Sequence, residues 1–198
     1  MTETATLRDT PPTDTEQLVI AVIVGSVRPG RIADAIMPWL DTRLAAHPDL
    51  TITVIDAAAL DLPLAGVGTK HDPSHAAASL DAADGFIVLT PEYNHSIPAA
   101  LKNLIDWHTT EWARKPVMAV SYGARSGGAR AIEHLRLIFP ELQALTTRNV
   151  VSIVAPWEHL DADGRFAPTA EHNAALDASI GELRWWATAL RPSRITAR

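Results

Sequence analysis

Three short segments of the chain hold residue types suited to gripping a phosphorylated, ring-bearing ligand. Residues 25–31 read GSVRPGR. Ser26 offers a hydroxyl, and Arg28 and Arg31 offer charge with the forked geometry that matches phosphate oxygens. Residues 91–107 read PEYNHSIPAALKNLIDW. Behind Pro91, Glu92, Tyr93 and Asn94 set a carboxylate, a phenol and an amide beside backbone N–H groups, a set able to border a flat ring. Residues 121–128 read SYGARSGG, in which Ser121 and Tyr122 add hydroxyls, and Gly123 and its fellows permit close backbone approach.

The elements around these segments explain why they can act together. Each follows a short apolar run: LVIAVIV at 18–24, GFIVLT at 85–90 and PVMAVS at 116–121. Such runs read as buried parallel strands. Each precedes apolar residues at helical spacing: Ile32, Ile36, Leu40 and Leu44; Ile97, Leu101, Leu104 and Ile105; Ile132, Leu135, Ile138 and Phe139. Strand, loop and helix in that order aim the unpaired N–H groups of a helix start at an anion. The first loop is neither a P-loop, lacking G-K-[ST], nor a G-x-G-x-x-G dinucleotide fingerprint. Ser96 is expected to cap the second helix with Pro98 in its first turn. Pro38 is expected to kink or offset the first helix.

The remaining chain completes an α/β pattern. TITVI at 51–55 predicts a strand, residues 56–74 a long loop, 75–83 a short helix and 148–154 a fifth strand. Leu176, Ile180, Leu183, Ala187 and Leu190 predict a last amphipathic helix. The fold class is therefore a three-layer sandwich of the flavodoxin-like kind. It has a five-stranded parallel sheet in the order 2-1-3-4-5, with helices on both faces. In such sheets ligands bind outside the carboxyl ends of the strands, where the strand order reverses.

Bulk properties narrow the function. A chain of 198 residues with 47% hydrophobic residues suits one domain, expected over residues 18–192. Residues 1–17, rich in Thr, Asp, Glu and Pro, read as a disordered tail and not a signal peptide. A net charge of −6 argues against a nucleic-acid partner. The lack of cysteine excludes disulfides, thiolate catalysis and cysteine-held metal centres. No apolar run approaches membrane-spanning length, so a cytoplasmic enzyme without membrane association is expected. His71 and His75 lack a third ligand and are separated by Pro73, so no metal is assigned. GARSG at 123–127 misses the G-x-S-x-G register of a hydrolase elbow, and His159 with Asp161 is a poor triad remainder.

Taken together, the segments at 25–31, 91–107 and 121–136 resemble the NAD(P)H-dependent FMN reductases, a flavodoxin-like group that includes quinone, azo-dye and chromate reductases. The middle segment is the most specific of the three. The resemblance implies bound FMN, NAD(P)H as co-substrate and a two-electron ping-pong transfer to a small-molecule acceptor. It implies the FMN phosphate at residues 26–33, with Ser26, Arg28, Arg31, Ile32 and Ala33 around it. The ring would lie along Pro91, Glu92, Tyr93 and Asn94, with Ser121, Tyr122 and Gly123 on its other side. Members often carry a small hydroxyl or amide residue where this chain has Arg31 and Ala33, which shifts weight to backbone N–H groups or to the Arg31 guanidinium. No side chain has to act as acid or base, so no catalytic residue is assigned. A homodimer or homotetramer is implied, with residues 96–112 and their Trp107 and Trp112 as the contact. A flavodoxin-type electron carrier and a flavin-bound regulatory or partner-binding protein remain as alternative readings.

Overall fold

The computed structural model describes residues 17–64 and 76–195. Residues 1–16 of the tail expected over 1–17, and residues 65–75 with His71 and His75, lie outside the described residues.

Five central segments form one parallel sheet. They are β1 (Leu18–Val24), β2 (Leu50–Asp56), β3 (Gly85–Pro91), β4 (Pro116–Gly123) and a divided outer position. That outer position holds β5 (Leu145–Thr146) and β6 (Val151–Val154), both paired with β4. The sequence predicts a single strand over 148–154. The structure instead starts that strand at Val151 and adds the short β5 ahead of it; between them the N–H groups of Arg148 and Asn149 donate to the Glu182 carboxylate at 2.9 and 2.8 Å and leave the ladder. The order 2-1-3-4-5 is otherwise as expected, with β1 paired to both β2 and β3.

The helices are α1 (Ala33–Ala45), α2 (Ala76–Ala82), α3 (Ala99–Trp107), α4 (Ala129–Ile138) and α5 (Ala170–Ile195). Alternate side chains of each buried strand feed two cores. Ile20, Val22, Val24, Leu89, Val120 and Tyr122 pack with α1 and α5. Ala21, Ile23, Phe86, Val88 and Ala119 pack with α2, α3 and α4. Burial on both faces is why β1, β3 and β4 read as unbroken apolar runs. Leu176, Ile180, Leu183 and Ala187 of α5 are all fully buried, as their spacing predicts.

Two local expectations are corrected. Ser96 does not cap α3: the helix starts at Ala99 behind Pro98, which has no side-chain cap, and Ser96 Oγ lies 2.8 Å from His134 Nδ1. Pro38 lies inside α1 on an exposed side, where water can satisfy the carbonyl one turn back, and the helix runs on through it to Ala45. Trp112 presents nothing to a partner. It is fully buried, stacked edge-on between Phe86 and Phe139, and its indole N–H donates to the His108 carbonyl at 2.7 Å. Trp107 is nearly buried as well and donates to the Pro63 carbonyl. A large aromatic with one polar atom fills a core well when that atom finds a carbonyl.

Candidate functional site

All three segments meet at the carboxyl end of the sheet. Parallel pairing aligns Val24 with Leu89 and Pro91 with Tyr122, so the loops after β1, β3 and β4 leave the sheet side by side. The β1 loop is drawn close to the helix after β3, because a Cβ on Gly25 would stand 2.9 Å from the Leu101 side chain. Only a glycine fits there without a shift.

Within the first loop the two arginines part company. Arg31 turns inward. Its guanidinium donates to both oxygens of Asp56 at the end of β2, with 2.6 Å to Oδ1. It also donates to Asp34 at 2.8 Å and to the Ser26 carbonyl. Asp56 in turn accepts the Ala58 N–H at 2.9 Å. The Arg31 guanidinium holds the Asp56 carboxyl below the usual carboxylate range, and Asp56 pushes the Arg31 pKa still higher. Arg28 stays exposed, with its guanidinium carbon 3.9 Å from the centre of the Tyr93 ring.

The loops after β1 and β3 are tied by Ser26, whose hydroxyl lies 2.8 Å from the Tyr93 hydroxyl. Ser26 itself is fully buried. Beneath it lies Tyr122, whose hydroxyl is buried and completes no hydrogen bond among the described residues. Burial, then the neighbouring Tyr93, push the Tyr122 pKa up, so it is a neutral phenol. Above these side chains the backbone N–H groups of Val27, Arg28, Gly30 and Ile32 form no hydrogen bond among the described residues. The loop thus ends with open donors at the start of α1, beside an exposed arginine.

The loops after β3 and β4 are tied by Glu92. Its carboxylate accepts the Arg130 N–H at 3.1 Å, the Arg130 guanidinium at 2.9 Å and the Ser126 hydroxyl at 3.1 Å. Burial opposes its charge, but these donors outweigh burial and hold its pKa below the usual value. The N–H of Glu92 donates to the Tyr122 carbonyl at 2.9 Å. Ser121 is fully buried and donates to the Gly127 carbonyl at 2.6 Å. A Cβ on Gly128, at φ 89°, would fall 2.6 Å from that Ser121 side chain. The double glycine is therefore needed for the loop to fold back onto β4.

The structure thus brings together every predicted site residue, but it gives them different work. Ser26, Arg28, Ile32 and Ala33 surround the open donors. Arg31, Glu92 and Ser121 spend their side chains inside the protein. Asn94, at φ 50°, occupies an exposed turn. Sequence reasoning missed Asp56 and Arg130, the partners that fix Arg31 and Glu92. The signal for Asp56 was an acidic residue at the end of a strand next to a strand carrying an arginine loop. Arg130 had none beyond its place in the first turn of a helix. Among the described residues no three His, Cys, Asp or Glu side chains cluster as a metal site.

Comparisons with known proteins agree with this architecture. The chain is 32% identical over 144 residues to an NAD(P)H-dependent FMN reductase of Schizosaccharomyces pombe, covering 64% of this chain and 72% of that one. It is 32% identical over 165 residues to a probable NADPH:quinone oxidoreductase of Oryza sativa, covering 77% of this chain and 80% of the relative. Among solved structures, the flavoenzyme NAD(P)H:(acceptor) oxidoreductase FerB of Paracoccus denitrificans superposes with a TM-score of 0.71 at 22% identity, over 85% of this chain and 97% of that one. Residues 18–158 match the family described as NADPH-dependent FMN reductase, and the match spans all three loops. The chain therefore belongs to the NADPH-dependent FMN reductase family, a family of oxidoreductase enzymes on a flavodoxin-like fold.

Proposed function

We propose that this protein is an FMN-dependent NAD(P)H oxidoreductase that delivers two electrons to a small acceptor, such as a quinone, an azo compound, a metal oxyanion or free flavin. The observation that carries this reading is the convergence of the loops after β1 and β3 at the point where the strand order reverses. There the open N–H groups of Val27, Arg28 and Ile32 lie beside the exposed Arg28. The donors present fit an anion. A helix start with open N–H groups and a cationic side chain beside it are together suited to a phosphate.

In this reading Ser26, Arg28, Ile32 and Ala33 hold the phosphate. Arg31 acts one step back, since by gripping Asp56 and the Ser26 carbonyl it fixes the loop from which the N–H groups point. Residues 91–94 border the ring on one side and residues 121–123 on the other. Glu92 aligns these two loops through Arg130, and Ser121 shapes the turn above it. FMN, when bound, supplies the hydride-accepting and hydride-donating chemistry that no side chain of this chain offers. The protein contributes binding, orientation and fixed dipoles. The donor and the acceptor then use one open face in turn, which is a ping-pong scheme. A homodimer or homotetramer and a cytoplasmic setting are part of the same assignment.

The test is direct. Purified protein is expected to be yellow, and NAD(P)H alone is expected to bleach it under anaerobic conditions. A later addition of quinone is expected to restore the colour. Bound flavin that NAD(P)H cannot bleach would leave an electron carrier, and a protein that takes no flavin would end the reading.

A further inference from the structure

A histidine closes the start of the last helix. Thr169 stands just before α5, and its hydroxyl accepts the His172 N–H at 3.2 Å. His172 answers with its ring, whose Nδ1 accepts the Thr169 N–H at 3.2 Å. This reciprocal pair is a capping box, in which the third helical residue is ordinarily Glu or Gln. An imidazole nitrogen accepts only while it carries no proton. Protonation turns Nδ1 into a donor facing another donor. It also sets a positive charge at the positive end of the helix dipole.

The same ring belongs to a cluster that grips α1. Its centre lies 5.1 Å from that of His159, 5.3 Å from Phe166 and 6.5 Å from Trp39. Phe166 and Trp39 are buried, 5.2 Å apart. The Phe166 N–H donates to the Ala35 carbonyl, in the first turn of α1, at 3.1 Å. The Trp39 indole N–H donates to Asn173 Oδ1 on α5 at 2.9 Å. Further along both helices, Arg43 pairs with Asp177. Residues 166–173 thus hold the helix whose start carries the open N–H groups described above. Water reaches the cluster, because His159 and His172 line a cavity of about 330 Å³ together with Ser152 of β6, Thr169 and Glu171.

We propose that the start of α5 is a proton-operated clamp on α1, and that His172 is a positioning residue for the phosphate site at the start of α1, closing the clamp when its ring is neutral and releasing it when protonated. The part that concerns the phosphate rests on the reductase reading above. Among the described residues, the titratable groups that bear on the ring are His159, from the turn at Pro156–His159, and Glu171 on α5 itself. α1 and the segment before α5 offer it only Trp39 and Phe166. Burial first, then His159, hold the His172 pKa below the usual histidine value, with Glu171 acting the other way. A base whose folded pKa is lowered stabilises the fold fully above its unfolded value of about 6.5. That stability is lost as pH falls from there through the lower, folded value, so the clamp is closed in weak base and open in weak acid.

Amide hydrogen exchange over residues 169–175 of the purified protein, at about pH 8 and pH 5.5 and corrected for the intrinsic effect of pH on exchange, tests the clamp. Wild type is expected to lose about fivefold in protection on acidification, the worth of an N-terminal capping contact. His172→Gln keeps a capping acceptor that does not titrate and is expected to lose almost none. His172→Glu, whose carboxyl takes a proton only near pH 4, is expected to behave like His172→Gln and carries the comparison if that variant does not fold. Equal loss in wild type and variant would overturn the clamp. Titration of apo-protein with FMN at the same two pH values tests the reach to α1. Affinity is expected to fall several-fold more in wild type than in the variant, and titration of the FMN phosphate itself cancels between them. Equal falls in affinity, with exchange as expected, would overturn the positioning role of His172. A wild type that takes no flavin at either pH would overturn the reductase reading and that role with it, while exchange still decides the clamp.

Discussion

Two carboxylates at opposite ends of the sheet invite comparison. At the amino end, Asp84 precedes β3. It accepts the Val19 N–H at 2.9 Å and pairs with Arg194, and with Arg191 at 3.5 Å, all but hidden from solvent. At the carboxyl end, Asp56 closes β2 and pairs with Arg31, whose other donors reach Asp34 and the Ser26 carbonyl. The first cluster fastens the last helix to the edge of β1 and β3, so its contacts run between regular elements. The second fastens a loop and leaves N–H groups of that loop open. Similar chemistry serves packing at one end and shapes a binding surface at the other. What differs is whether the backbone around the pair is already satisfied by a ladder.

The contrast can be broken first at its strongest point. Asp84→Ala takes the carboxylate away from Arg191, Arg194 and the Val19 N–H in a largely buried setting, and breaking such a cluster costs roughly 3 kcal/mol or more. Urea unfolding is expected to show that loss, while activity per folded molecule stays near wild type. A large loss of activity with stability intact would mean that the amino end reaches the site. Next comes Arg28→Ala, at an exposed side chain that rests against the Tyr93 ring. Loss of a charge-assisted hydrogen bond is worth about 1.5–3 kcal/mol, or about ten- to a hundredfold in FMN affinity. Titration of apo-protein with FMN and with riboflavin checks it. Wild type binding both equally would remove the phosphate from residues 26–33.

Asp56→Asn sharpens the comparison through pH. Because Arg31 lowers the Asp56 pKa in the folded chain, the pair adds stability above the unfolded carboxylate value of about 4. That stability is lost as pH falls through the lower, folded value. The pair is partly exposed, so about 1 kcal/mol is expected. Asp56→Asn should therefore destabilise the protein near neutral pH and flatten its acid unfolding curve, with a several-fold loss of FMN affinity as the loop loosens. Parallel acid curves for variant and wild type would show that the pair adds nothing. The smallest effect on stability belongs to Asn94→Gly, which keeps the left-handed turn and removes only the amide. Donors near the reducible ring favour its reduced, negative form. Anaerobic stopped-flow reduction is expected to slow, and the potential to fall, with FMN affinity changing less than in Arg28→Ala. Wild-type rate and potential would leave Asn94 with the turn alone.

Much of this molecule was legible before its fold was known, for reasons visible in particular residues. Strands buried on both faces must be apolar throughout, so β1, β3 and β4 stood out as runs, and α5 stood out by the spacing of Leu176, Ile180, Leu183 and Ala187. The three loops followed from those strands, and their Gly, Ser and Arg content marked them as anion-facing. Boundaries were less legible. Ser96 and Pro98 look like a cap and a first turn, yet a hairpin closed by Tyr93 and Ser96 comes first and delays α3 to Ala99. Between β5 and β6 the N–H groups of Arg148 and Asn149 turn to Glu182, which lies in another element altogether.

The local order of strand, loop and helix, the anion-facing chemistry of the loops and the resemblance they carry are properties of neighbouring residues, so sequence alone determined them. The division of labour among the loop side chains was decided only in three dimensions. Arg28 and Arg31 are equivalent as letters, yet Asp56 stands 25 residues from Arg31 and claims it. Glu92 is claimed in the same way by Arg130, 38 residues on. Trp112 resembles a surface aromatic beside a loop until Phe86 and Phe139 close over it. An ionic or aromatic side chain goes where its partner and its burial are best satisfied, and parallel pairing of distant strands is what sets that partner beside it.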